Sequence, residues 1–287
     1  MGPPSLAITR IDTLAQYREV MRSWSKTHPS MPDHAGLAPN GTFLVPGYCW
    51  VDKKHVSFLM DDHYAMRGGN RVELNWRERM VCPLCRLNTR MRAAIHVIEA
   101  RIALQTDAAM WLMEQVTPLY ALMKSRYVNL VGSEFVSPEL QSGLVGKDGL
   151  RHENATSPSF GDGTLRAVLS FDVLEHVPAY RIAFAEAARI LAPGGTLLFS
   201  VPFMPLEAKT RARAIVRPDG NIEHLLPPQY HGDPIHADHG ILCFNDFGWD
   251  MLDDLRAAGF RDACSLWLES VAYGYPNQPQ MYFMATR

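Results

Sequence analysis

From residue 108 onward the sequence alternates short apolar runs with amphipathic helices, a pattern that argues for a parallel sheet covered by helices. Ala108–Met113 is a first apolar run, Pro118–Arg126 reads as helix and Tyr127–Val131 as a second strand. Leu165–Phe171 is a third strand, entered from the turn Gly161-Asp162-Gly163. In Tyr180–Leu191 the residues Phe184, Ala187, Ala188 and Leu191 share one helical face, with Arg181, Glu186 and Arg189 opposite. Pro193-Gly194-Gly195 is expected to stop that helix before a buried strand over Thr196–Val201. Residues 203–245 read as a long, irregular, Pro- and His-rich insertion. Phe247, Met251, Leu255 and Ala258 mark a last helix, followed by strands near Asp262–Leu268 and Gln280–Ala285.

The first 105 residues have a different texture. Leu14, Tyr17, Met21 and Trp24 predict a helix over 11–25, and the Pro/Gly-rich stretch 27–41 predicts a loop. Thr42–Tyr48 and His55–Met60, joined by Asp52-Lys53-Lys54, predict a hairpin. Val81–Cys85 then leads into a helix running to about residue 105. The expected organisation is an N-terminal α+β cap, 1–105, followed by an α/β domain, 106–287.

Charge and composition exclude several classes. The net charge is −2; residues 1–105 hold 14 Lys/Arg against 9 Asp/Glu, and residues 106–287 hold 14 against 21. Neither half has the clustered basic excess of a nucleic-acid binder. No stretch approaches the roughly 18 uninterrupted apolar residues of a membrane helix. With no apolar h-region at the start, the expectation is a cytoplasmic protein. The five cysteines, at 49, 82, 85, 243 and 264, read as metal ligands or core thiols.

Three segments, in order, carry a family resemblance. Leu165-Arg-Ala-Val-Leu-Ser-Phe-Asp-Val-Leu-Glu-His-Val-Pro178 resembles the central strand and following loop of class I S-adenosylmethionine-dependent methyltransferases. Leu191-Ala-Pro-Gly-Gly-Thr-Leu-Leu-Phe-Ser-Val-Pro202 resembles the next helix end and strand, and Leu255-Arg-Ala-Ala-Gly-Phe260 the closing helix. The resemblance implies a Rossmann-like seven-stranded sheet and S-adenosylmethionine as cofactor. It implies that Asp172, Val173 and His176 stand at the cofactor, where strand C-termini meet helix N-termini; an ordinary acidic helix start is the plainer reading of Asp172, Glu175 and His176. It further implies an acidic ribose ligand after the second strand, supplied by Glu134, with Phe135 to pack on adenine. After a further strand, Asn154-Ala155 stands where the family reads the adenine amino group; a turn Asn is the alternative.

One motif departs from the family. Its first strand ends in a Gly-rich turn, because backbone must come close to the cofactor, whereas this chain reads Trp111-Leu-Met-Glu-Gln-Val-Thr-Pro-Leu-Tyr120. Thr117 and Pro118 make a good helix start. Glu114 to Glu134 and Glu134 to Asn154 are each 20 residues, so Glu114, Gln115 and Thr117 are expected to line the methionine end of the pocket. A fold that has lost cofactor binding is the rival reading; a nicotinamide oxidoreductase lacks its G-x-G-x-x-G here.

For the chemistry, a histidine is the usual base for a hydroxyl acceptor. His231, with Asp233 nearby, and His176 are the candidates, against the reading of a hydrated His-rich lid. The expected acceptor is a small-molecule or glycan hydroxyl, with nitrogen or sulfur as alternatives. Lys209, Arg211, Arg213 and Arg217 form either a site for an anionic acceptor or a solvated basic face. Cys82-x-x-Cys85 resembles half a zinc knuckle, with Cys49 and Asp52 as the other half; three thiols packing a small subdomain is the alternative. Cys243 and Cys264 read as core.

Overall fold

The computed structural model describes residues 2–27, 41–68, 71–232, 235 and 240–287; the predicted loop 27–41 falls almost wholly outside them. The chain forms two compact units. One comprises Met1–Arg10, Glu19–Ala103 and Leu266–Met281; the other comprises Ile11–Arg18, Leu104–Ser265 and Tyr282–Arg287. Among the described residues no helix is long and apolar enough to cross a membrane.

In the first unit the expected hairpin forms over Phe43–Cys49 and Lys54–Met60, with Phe43 opposite Met60 and Cys49 opposite Lys54. Lys53 takes the left-handed conformation in its turn (φ 54°). A helix over Thr89–Val97 starts at Asn88, whose side chain accepts from the Met91 N–H at 2.9 Å. It continues as a wider turn, Ile98–Ile102, to the left-handed Ala103. On this helix Arg92 is fully buried. Its guanidinium donates to the carbonyls of Tyr273, Met80 and Gly274 at 3.0, 3.3 and 3.2 Å, and lies 3.9 Å over the Phe58 ring. Burial pushes its pKa down. Nearby, Trp50 stacks on His96 at 3.9 Å and 6°, and burial holds the His96 pKa down at about 3.

A seven-stranded sheet has the order Ile8–Ile11, Asp262–Ser270, Tyr275–Thr286, Leu191–Ser200, Leu165–Phe171, Met110–Leu112, Leu130–Gly132, and its strands from Leu191–Ser200 to Leu130–Gly132 belong to the second unit. The strands from Leu191–Ser200 to Leu130–Gly132 are parallel. Thr286–Phe283 runs antiparallel to Thr196–Phe199. This is the mixed, helix-covered sheet expected. Val168, Leu169, Leu198 and Phe199 are buried within it, and Phe184 of the helix Tyr180–Ile190 packs on Phe199 at 5.7 Å.

Three local expectations need correction. The strand expected before Asn154 is reduced to one parallel bridge between Glu134 and His152, held by Glu134 N–H to Arg151 O (2.9 Å) and Glu153 N–H to Glu134 O (3.1 Å). The helix that Pro193-Gly194-Gly195 was expected to stop already ends at Ile190, and strand begins at Leu191, with Gly194 at φ 75° inside it. The 203–245 insertion is not irregular throughout. It pairs Ala214–Val216 with Ile222–His224, Tyr230–His231 with Ile241–Leu242, and Arg211–Ala212 with Asn245–Asp246.

Candidate active site and metal centre

Parallel strands leave a crevice beyond their C-terminal ends, and the second unit has a cavity of about 300 Å³ there. Its wall takes Trp111 and Met113 from the first strand's end and Ser133, Glu134 and Phe135 from the second. The bridged edge contributes Glu153, Asn154, Ala155 and Thr156, and the loop after Leu165–Phe171 contributes Val173 and His176. Six residues expected at the cofactor, Glu134, Phe135, Asn154, Ala155, Val173 and His176, thus meet in one cavity. A volume of this order is at the lower end for small-molecule sites.

The glycine-free loop is braced by side chains. Glu134 Oε1 accepts from the backbone N–H groups of Gln115 and Val116 at 2.6 and 3.0 Å. Gln115 accepts from Arg151 N–H at 2.9 Å and donates to Gly149 O at 3.0 Å, so it ties the loop to the neighbouring segment. Thr117 Oγ1 caps the helix Pro118–Arg126 by accepting from Tyr120 N–H at 3.1 Å. Gln115 and Thr117 stand outside the cavity wall, as does the buried Glu114. Gly132, at the end of the second strand, has no room for a side chain: an added Cβ would overlap the Tyr120 ring and stand 2.9 Å from Glu114 O.

Asn154 lines the cavity, but its Oδ1 already accepts from Thr156 N–H and Oγ1–H at 2.9 and 2.8 Å. Both lone pairs expected for an adenine amino group serve a local turn instead. Asp172 is left-handed (φ 57°) at the tip of the central strand and takes a hydrogen bond from Ser200 Oγ at 2.8 Å. A non-glycine residue there stores roughly 1–3 kcal/mol of strain, characteristic of functional loops.

The two candidate histidines come together. His231, paired opposite Ile241, and His176 have ring centroids 5.1 Å apart, and their ligand atoms share a cluster with Cys243 Sγ. Asp233 lies outside the described residues. The carboxylate beside His231 is Glu175, with Oε1 3.3 Å from His231 Nδ1 and 3.6 Å from His176 Nε2. The Cys243 thiol and Glu175 hold the His231 pKa up at about 10. Glu175 and Cys243 escaped the sequence reading. The first looked like an ordinary acidic helix start, and the second sits in an apolar run, 67 residues from His176. The basic insertion residues meet carboxylates instead of open space: Arg211 and Arg213 reach Asp246 at 3.3 and 2.7 Å, and Arg217 reaches Glu223 at 2.5 Å. Lys209 stands 3.8 Å from Asp250.

In the first unit the four expected metal ligands Cys49, Asp52, Cys82 and Cys85 also converge. Cys49 Sγ and Cys85 Sγ are 3.8 Å apart, and Cys82 Sγ is 3.1 Å from Asp52 Oδ2. Leu84 N–H donates to Cys82 Sγ at 3.4 Å, and Arg86 is left-handed (φ 60°), which turns the chain back around the sulfurs. Crowding pushes the Cys49 thiol up to about 12 and Cys85 up as well, while Cys82 is shifted down.

Residues 117–199 match a family model described as a methyltransferase domain. Among solved structures, the chain is similar to a 1,6-didemethyltoxoflavin-N1-methyltransferase of Burkholderia thailandensis, at 15% identity over 69% of this chain and 77% of that one, TM-score 0.39. It is also similar to an amino pentose methyltransferase of Micromonospora echinaspora, at 19% identity over 68% and 88%, TM-score 0.39. No curated protein matches the sequence. The family match covers 83 of the 287 residues, from the helix start at Thr117 to Phe199 in the strand Leu191–Ser200.

Proposed function

We propose that the second unit transfers a methyl group from S-adenosylmethionine to a hydroxyl of a small molecule or glycan. The supporting observation is the convergence of Trp111, Glu134, Phe135, Val173 and His176, from three strand ends, on one cavity. The residues fit the cofactor in kind. Glu134 offers carboxylate acceptors suited to ribose hydroxyls, and Phe135 and Trp111 offer aromatic surface for adenine. Asp172, at the central strand's tip, is not part of the cavity wall and is held by Ser200.

Methyl transfer from a sulfonium is an in-line displacement: the acceptor oxygen bonds to carbon as the carbon–sulfur bond breaks, and the hydroxyl proton must leave. Holding the acceptor in line is the protein's main task. His176, on the cavity wall, and His231 beside it stand on the acceptor side in this reading. Among the described residues the cysteines form no disulfide, which fits a reducing compartment, and we place the protein in the cytoplasm.

The test is transfer of label from methyl-labelled S-adenosylmethionine to a panel of sugar and small-molecule alcohols, with amines and thiols alongside. Labelled ether products are expected. Label only on nitrogen or sulfur would shift the acceptor class. No binding heat with millimolar cofactor would instead favour a non-catalytic binding protein of the same fold.

We also propose that Cys49, Cys82, Cys85 and Asp52 hold a structural zinc. Two thiolates on one tetrahedral zinc, with bonds of about 2.3 Å, stand about 3.8 Å apart, and Cys49 and Cys85 have that separation. A nearby cation also lets three crowded thiols ionise together. Metal analysis of purified protein should find zinc, with one equivalent missing in Cys82→Ser. Equal zinc in both proteins would refute this site.

A further inference from the structure

We propose that His176, His231 and Cys243 form a second metal site, for a divalent ion of the zinc type, at the margin of the cavity. The proposal stands on geometry and is independent of the methyl-transfer reading. One donor atom from each residue lies within 4.8 Å of the others. Two imidazoles and a thiolate form a borderline-soft donor set, which selects zinc over magnesium or calcium.

The outer contact of His176 fixes its donor in the orientation a metal needs. His176 Nδ1 is 2.9 Å from the Leu242 carbonyl and donates to it, which leaves the Nε2 lone pair on the cluster side. His231 Nε2 is 3.3 Å from the Gln229 amide, and with that amide turned to present its oxygen, the Nδ1 lone pair is available to an ion. Within the hairpin carrying His231 and Cys243, Cys243 N–H donates to Gln229 O at 2.9 Å, and Phe244 N–H clasps it to the turn carrying His176 by donating to Glu175 O at 2.8 Å.

Glu175 supplies the independent observation. Its side chain is 1% exposed, and neither carboxylate oxygen has a hydrogen-bond partner. The two imidazole nitrogens stand at 3.3 and 3.6 Å, beyond the 2.7–2.9 Å usual for a charge-assisted bond. A buried carboxylate in that condition calls for a cation. A divalent ion on two neutral histidines would be balanced by the Cys243 thiolate and the Glu175 carboxylate. Three protein ligands with an open fourth position is the donor count of catalytic zinc sites. His176 and Ile241 line the cavity, so a hydroxyl or thiol entering from there could take the open position and lose its proton more readily.

The test is metal content and cobalt(II) spectroscopy on the purified full chain, on Cys243→Ser and on His231→Gln, with Cys82→Ser separating the knuckle. Each of the first two variants should lose one metal equivalent while keeping the Cys82-dependent one. Cys243→Ser should also lose one thiolate-to-cobalt charge-transfer contribution. The His231 side chain is 29% exposed, so His231→Gln keeps the test valid should Cys243→Ser fail to fold. Metal content and cobalt spectra equal to wild type in His231→Gln, or in a folded Cys243→Ser, would overturn the site.

Discussion

Replacing Glu134 with alanine should weaken S-adenosylmethionine binding by about 100-fold or more while leaving the fold intact. The carboxylate lines the cavity and also holds the loop after the first strand, accepting from the N–H groups of Gln115 and Val116. Hydrogen bonds to a charged group contribute roughly 1.5–3 kcal/mol each. Losing the charged acceptors for two ribose hydroxyls removes on the order of 3 kcal/mol of binding, which is about two decades of affinity. Calorimetric titration of the variant, with circular dichroism as the control for folding, is the measurement. An affinity within threefold of wild type would remove Glu134 from the site.

The second large effect is on stability. Arg92→Met should lower the melting temperature by roughly 10 °C. The substitution keeps most of the volume but deletes the donor shared by the carbonyls of Tyr273, Met80 and Gly274, all inside the first unit. Breaking a buried charged network costs about 3–5 kcal/mol, and for a chain of this size each kcal/mol is worth about 2–4 °C. A scanning-calorimetry midpoint shifted by less than 2 °C would show that those carbonyls find other donors.

How much of this was legible beforehand depended on whether the signal was local. Thr117-Pro118 announces a helix by cap chemistry, and the helix begins where those residues place it. Leu165–Phe171 is a largely apolar run, broken by Arg166 and Ser170, between a Gly turn and an acidic loop, and both its ends were readable. The C-x-x-C turn and the hairpin turn with Cys49-x-x-Asp52 each show in sequence, so their convergence could be anticipated. By contrast, the strands within 203–245 are two or three residues long, too short for any period to register.

The site was legible only in part for a related reason. Glu134 and Phe135 follow a strand at the expected spacing, but the partners of Gln115 lie at Gly149 and Arg151, about 35 residues away. Nothing near Gln115 signals that its amide ties two loops together. The same distance hides the cluster of His176, His231, Glu175 and Cys243, whose members look ordinary where each stands alone. Buried Arg92 is hidden likewise, since its acceptors at 273 and 274 come from the far end of the chain.

Between Phe135 and Thr164 one β-bridge, Glu134 with His152, joins the sheet edge, and side chains such as Gln115 and Arg189 supply the other ties. A nucleoside resting on Glu134, Phe135 and Asn154 together would act as a second rung, so occupancy and edge order become one equilibrium. Ligand that binds only the ordered edge pulls that equilibrium toward order as its concentration rises. Amide hydrogens across 135–160 should then report saturation through slowed exchange with solvent, even where the parallel strands beside them register no change.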